Sequence, residues 1–161
     1  MRTRRVSVLV LLAIMLLPVL AIAQPAPKDS RGCTDPQLFP KRMAGYQIGD
    51  CFDKAYDLFT FRTKVGAKPD NPVEGRHIAL TYYRITGVTD TSNLATVRNY
   101  EAAIKSAGGT IVVIDPQNFV VGKFVQDGRE IWTEISGYPG GARIYVHIVE
   151  KKAMEQQVVA D

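Results

Sequence analysis

The chain has 161 residues, with 20 Lys and Arg, 16 Asp and Glu, and a formal net charge of +4. Three of the basic residues, Arg2, Arg4 and Arg5, lie in the first five positions, so the remainder is almost neutral, with 17 basic against 16 acidic residues. No Lys/Arg-clustered face is left to act as an electrostatic footprint, which argues against a nucleic-acid partner.

Residues 1–23 read as a cleavable secretory signal peptide. Arg2, Arg4 and Arg5 precede a run from Val6 to Leu17 that is apolar except for Ser7, and Ala21-Ile22-Ala23 supplies the small-residue exit before Gln24. The general secretory route fits better than a twin-arginine route. No Cys follows the exit to accept a lipid, so no membrane insertion is expected after cleavage. The expected location is periplasmic or secreted. The remaining 138 residues suffice for one modest domain. In an oxidising compartment Cys33 and Cys51 read as a disulfide, since no C-x-x-C or H-x-x-x-H spacing joins them to His77 and His147 as a metal site.

Residues 24–40, rich in proline, read as an extended arm. A single domain over 41–150 and a helix-prone tail or linker over 151–161 complete the division. Aromatic enrichment from Tyr46 to Phe61 predicts a strand with a break near Asp53-Lys54, and turn chemistry from Gly66 to Pro72 predicts a loop. From Glu74 to Thr86 the pattern alternates, with Ile78, Leu80 and Tyr82 on one face and His77, Ala79, Thr81 and Tyr83 on the other.

The spacing of Leu94, Val97, Tyr100, Ile104 and Ala107 predicts an amphipathic helix over about 93–107, capped by Thr91 or Ser92 and stopped at Gly108. Thr110 to Ile114 reads as a short buried strand. Asp127-Gly128 marks a tight hairpin between strands over 119–126 and 129–138. A last strand follows over 142–150, with Ile144, Val146 and Ile148 inward and Arg143, Tyr145 and His147 outward. The sum is an α+β domain, an antiparallel sheet with one central amphipathic helix packed on a face and an N-terminal extended arm.

Several strings together carry a family likeness: Gly32-Cys33-Thr34-Asp35-Pro36, Tyr46-Gln47-Ile48 with Cys51, Val73-Glu74-Gly75-Arg76, Arg98-Asn99-Tyr100-Glu101, Ala107-Gly108-Gly109-Thr110, Glu130-Ile131-Trp132 and Ile148-Val149-Glu150-Lys151. The chain from Gly32 to Asp161 resembles the domain that precedes an OmpA-like peptidoglycan-binding domain in Gram-negative envelope proteins. The OmpA-like part is absent from this sequence. The resemblance implies an envelope role and carries over neither an activity nor a binding residue.

No G-x-S-x-G, P-loop or G-x-G-x-x-G is present, so no catalytic residue and no cofactor is assigned. Each His is expected alone on the polar face of its strand, and a general-base role for either one is the alternative. Asp50, Asp53 and Asp57 do not have the spacing of a calcium loop, and a charged strand edge explains them equally well. Trp132, Tyr138, Tyr145 and His147 fall in one phase of two strands, either as a platform for a sugar or peptide or as a face covered by the arm or helix. The leading functional expectation is a non-catalytic periplasmic domain that binds or scaffolds an envelope protein or glycan. The alternatives are a small hydrolase or transferase using a His with an Asp, and a self-associating structural protein.

Overall fold

The computed structural model describes residues 28–158. The expected signal peptide, residues 24–27 of the arm and the last three residues of the tail lie outside them. Among the described residues six strands form one antiparallel sheet: β1 (Tyr46–Phe61), β2 (Asn71–Arg84), β3 (Thr110–Asp115), β4 (Phe119–Gln126), β5 (Arg129–Gly137) and β6 (Arg143–Lys151). Their spatial order is β1-β2-β6-β5-β4-β3. Helix α1 (Asn93–Ser106) connects β2 to β3, and a single 3₁₀ turn, Pro139–Gly141, leads into β6. Among the described residues no helix is long and apolar enough to cross a membrane.

Helix α1 forms for the reasons its sequence gives. Ser92 caps it by accepting a hydrogen bond from Ala95 N at 3.1 Å, and Gly108 takes a positive φ just past its end. Thr96, Val97, Tyr100 and Ile104 are buried against the sheet, while Glu101 on the outer side is held by both Arg98 and Lys105. Leu94, expected in the apolar stripe, is 47% exposed, and Thr96 takes the inward place in the first turn. The helix packs over β3, β4 and β5. Its partners in the larger core include Ile48, Leu80, Tyr82, Val120, Phe124, Ile135, Ile144 and Val146.

The arm is a set of turns rather than an extended segment. Arg42 donates to the carboxylates of both Asp29 and Asp35, closing residues 29–42 into a loop. That loop is fastened to β1: Ser30 N donates to Ile48 O at 2.8 Å, Ile48 N donates to Asp29 Oδ1 at 2.7 Å, and Cys33 is bonded to Cys51. Phe39 meets Tyr100 of the helix edge to face at 5.5 Å, which carries the arm onto the main core.

The opposite face of the sheet is also covered, by the end of its own first hairpin. Strand β1 is continuous through Asp53-Lys54 but shifts register between Ile48 and Asp50 and again between Lys54 and Asp57. Such bulges bend a strand and increase its twist. Beyond Gly75, the last residue of β2 paired with β6, the hairpin curls across the sheet. Phe59 stacks on His147 of β6 at 4.2 Å, Phe61 meets Trp132 of β5 at 5.6 Å, and the Arg62 guanidinium lies 4.8 Å from the Phe119 ring of β4. A second core results, built from Phe61, Val73, Phe119, Val121, Trp132 and Val149. Gly75 permits the close approach: a Cβ there would stand 2.0 Å from the carbonyl oxygen of Glu150.

Three further expectations change. The run Thr110 to Ile114 is an edge strand and only half-buried, because the chain returns from the helix to the outside of β4. The loop after β1 ends earlier than expected, since Asn71 and Pro72 already belong to β2. The tail is not helical over its described part: Lys151 closes β6, and residues 152–158 are exposed and without regular structure. An apolar pair such as Met154 and Val158 is too short a stripe to hold a helix without a surface to pack on.

Candidate binding cleft and a buried histidine chain

Where α1 ends and the arm turns away, one corner of the helix-side face stays open. The cleft there has a volume of about 690 Å³. Its floor follows from strand alternation. In the outermost row Arg76 of β2 pairs with Glu150 of β6, which pairs with Ile131 of β5. In the next row Asp53 of β1, Ile78 of β2 and Ile148 of β6 are neighbours. The floor is therefore half ionic and half aliphatic.

Its walls are the arm from Gly32 to Leu38, fixed by the Cys33–Cys51 bond, and on the far side Ala107 with the β4–β5 turn at Gln126, Asp127 and Arg129. Asp127 and Gly128 both have positive φ, as a tight hairpin turn demands, so this wall is preset by the backbone.

The ionic half is unevenly matched. Arg76 donates to Asp53 from Nε at 2.9 Å and from Nη2 at 2.6 Å, a bidentate pair that holds the Asp53 carboxyl below its usual range. Toward Glu150 it reaches only from Nη1, at 3.3 Å. Asp35, on the arm wall, is bonded by Arg42 at 2.8 Å and by the Tyr82 hydroxyl at 2.8 Å. Burial pushes the Tyr82 phenol up, with the Tyr100 ring and the Asp35 carboxylate adding to it, so Tyr82 donates to Asp35 throughout the neutral range.

On the other face the curled hairpin encloses a chain of polar groups. Lys54 Nζ donates to Asp57 Oδ2 at 2.8 Å, Asp57 Oδ2 lies 3.0 Å from His77 Nδ1, and His77 Nε2 lies 3.1 Å from His147 Nδ1. The hydrogen bond from Lys54, with that from His77 second, holds the Asp57 carboxyl down at about 2. Burial first, then the neighbouring His77 and Arg62, pushes His147 down to about 4. When ionised Asp57 accepts the His77 Nδ1 proton and His77 Nε2 in turn accepts the His147 Nδ1 proton, the three groups form one directed chain. Nε2 of His147 is left carrying a lone pair.

Beside this chain Arg62 donates to Glu134, which is 4% exposed. Burial raises the Glu134 carboxyl in spite of Arg62, because a carboxylate in a dry site costs more than one partly exposed guanidinium returns.

The β5–β6 register puts Trp132, Tyr145 and His147 on one face, as expected, but that face is covered and forms no open platform. Of the four expected on one platform, Trp132 and His147 lie under Phe61 and Phe59, Tyr145 is half-buried, and Tyr138 is 51% exposed beyond β5, where Arg143 sits 5.7 Å from its ring. Conversely, His77 and His147 do not stand alone facing solvent: they touch, and His77 is 3% exposed. The alternation placed both on the right face, and nothing local shows that the face is roofed. Asp53 and Asp57 turn to opposite faces of the sheet, Asp53 to Arg76 and Asp57 to Lys54 and His77, and Asp50 is exposed. Among the described residues no group of three or more His, Cys, Asp or Glu side chains is arranged to hold a metal ion.

Cys33 and Cys51, read from the sequence as a pair, are bonded; Cys51 lines the cleft, and the bond fixes the arm that forms one of its walls. The cleft itself was not foreseen, since Arg76 and Glu150 come from strands 74 positions apart. Compared with models of protein families and with curated proteins, the chain matches none.

Proposed function

We propose that this chain is an exported, non-catalytic domain of the cell envelope that binds or scaffolds an envelope component through the cleft between the arm and the sheet. The observation that carries this is the cleft: about 690 Å³, open, with a rigid strand floor and one disulfide-fixed wall. Ligand sites combine an apolar surface with a few fixed polar groups, and this floor supplies both. The Cys33–Cys51 bond suits an oxidising compartment. The resemblance to the domain upstream of OmpA-like modules points to the same setting.

The test is site-specific photocrosslinking of the exported protein in intact envelopes. A photoreactive residue at Gln126, on the cleft wall, should give a discrete adduct that the same residue at Tyr138 does not. Equal labelling from both positions, or none from Gln126, would refute the proposal.

A second reading, a hydrolase or transferase using a His with an Asp, draws on the Asp57–His77–His147 chain. Its weakness is chemical. A base held near 4 has little power to take a proton at neutral pH. Replacing both His with Ala should leave any envelope phenotype of the gene unchanged, and loss of that phenotype in a folded variant would revive this reading.

A further inference from the structure

We infer that the cleft selects a ligand bearing an ammonium group beside an aliphatic body, such as the amine of a short peptide segment, over an anionic or neutral one; this rests on the cleft being the ligand site. The inference follows from how the floor charges are satisfied. Arg76 is committed to Asp53 by two bonds of 2.9 and 2.6 Å, whereas Glu150 holds a single 3.3 Å contact to the same guanidinium. Charged groups are best matched by short, well-directed hydrogen bonds, so Glu150 is the anion on the floor with bonding capacity to spare. It lies in the same cross-strand row as Ile131, which is buried, and the aliphatic surface left open near the carboxylate is that of half-buried Ile78 in the next row and half-buried Leu38 on the arm wall. Asp127, on the wall above, makes no ion pair among the described residues, and the Asp35 carboxylate is engaged by Arg42 and Tyr82. The cationic groups at the cleft are fewer: Arg76 is occupied, and Arg129, at the same exposed turn as Asp127, likewise makes no ion pair among the described residues, so that Glu150 on the floor decides the balance.

An anion entering this cleft meets Glu150 and Asp127, against Arg129 as the one cation of the lining without an ion pair among the described residues. An ammonium group finds in Glu150 a strong acceptor already stripped of part of its water, and the methyl and methylene groups beside it cover Ile78 and Leu38. The volume accommodates a few amino-acid residues. The aliphatic floor is also a poor match for a sugar ring, which stacks on aromatic faces.

The experiment uses two tetrapeptides of equal length and apolarity, Leu-Lys-Leu-Lys amide and acetyl-Leu-Glu-Leu-Glu, titrated into the isotopically labelled disulfide-bonded mature protein and followed by amide shifts. The basic peptide should move the amides of Ile131, Ile148, Glu150 and Gly32 and bind at least tenfold more tightly than the acidic one, and Glu150→Gln should remove most of that preference. Equal or stronger binding of the acidic peptide at the same amides would overturn the charge assignment while leaving the cleft as the site. Shifts from neither peptide at these amides, or shifts centred on Tyr83 and Arg143 instead, would overturn the charge assignment and the cleft together. Unchanged preference in a folded Glu150→Gln variant would show that Glu150 is not the selecting group.

Discussion

His77 Nε2 and His147 Nδ1, 70 positions apart in the chain, lie 3.1 Å from each other under the rings of Phe59 and Phe52. Burial, with the neighbouring His77 and Arg62 adding to it, makes protonation of His147 expensive. His147 has a folded pKa of about 4 against 6.5 in the unfolded chain, so between those values the unfolded state binds more protons. Its contribution is therefore intact above about 6.5 and is lost as pH falls towards 4. The expected loss is roughly 3 kcal/mol at most, since each tenfold change in proton affinity is worth about 1.4 kcal/mol. Urea unfolding at pH 7, 5.5 and 4.5 should show this slope, and His147→Gln should flatten it. A wild-type stability that is level over this range would contradict the placement of the pair.

Asp57 acts in a lower window. Its folded pKa, about 2, lies below the ordinary carboxyl value, so its stabilisation is present above about 3.8 and fades as pH falls through 2. In Asp57→Asn the acid limb of the stability curve should start from a lower plateau and be shallower below pH 4. An unchanged limb below pH 4 would mean that neither Lys54 nor His77 holds the carboxylate.

Removing Arg62 leaves Glu134 buried without its cation. Arg62→Ala should cost roughly 2–4 kcal/mol, less than a fully enclosed pair because Arg62 is about one-third exposed. Burial already favours the protonated Glu134, so the penalty should shrink from pH 7 to pH 5. The double variant Arg62→Met, Glu134→Gln should recover much of the loss. Equal penalties at both pH values would show that Glu134 is not the carboxylate being stranded.

Gly75→Ala tests the curl of the hairpin. With the carbonyl oxygen of Glu150 2.0 Å from the new Cβ, β2 and β6 must separate where the hairpin leaves the sheet. A destabilisation of about 2–4 kcal/mol is expected, in the range of overpacked or strained sites, together with faster exchange of the Trp132 indole proton. A variant as stable as the parent would mean that the two strands do not approach this closely.

Reduction of Cys33–Cys51 should act on stability and binding at once. The bond spans 18 positions, and its loss should lower stability by about 3 kcal/mol while detaching the arm from β1. Peptide binding in the cleft should weaken along with it. Retention of full affinity after reduction would show that the arm wall is not needed.

Much of the fold was legible because it rests on local rules. The helix limits followed from Ser92 and Gly108, the β4–β5 turn from Asp127-Gly128, and the facing of β2, β5 and β6 from simple alternation. What was not legible depends on how distant segments meet. Phe59 and Phe61 announce a strand but not that two bulges carry it over Trp132 and His147. The β-branched run at Thr110 looks like an interior strand, and its place at the edge is decided by where the helix delivers it. The cleft escapes a sequence reading for the same reason: Asp53, Arg76 and Glu150 become one site only through the register of three strands.

Arg76 and His77 are consecutive residues of β2, one on the cleft floor and the other against His147. The open site and the enclosed imidazoles thus share a peptide group, with no intervening layer to absorb a displacement. The histidine ring resonances are then a native reporter for the cleft: a ligand that shifts the Arg76 backbone registers on the far face without any attached label.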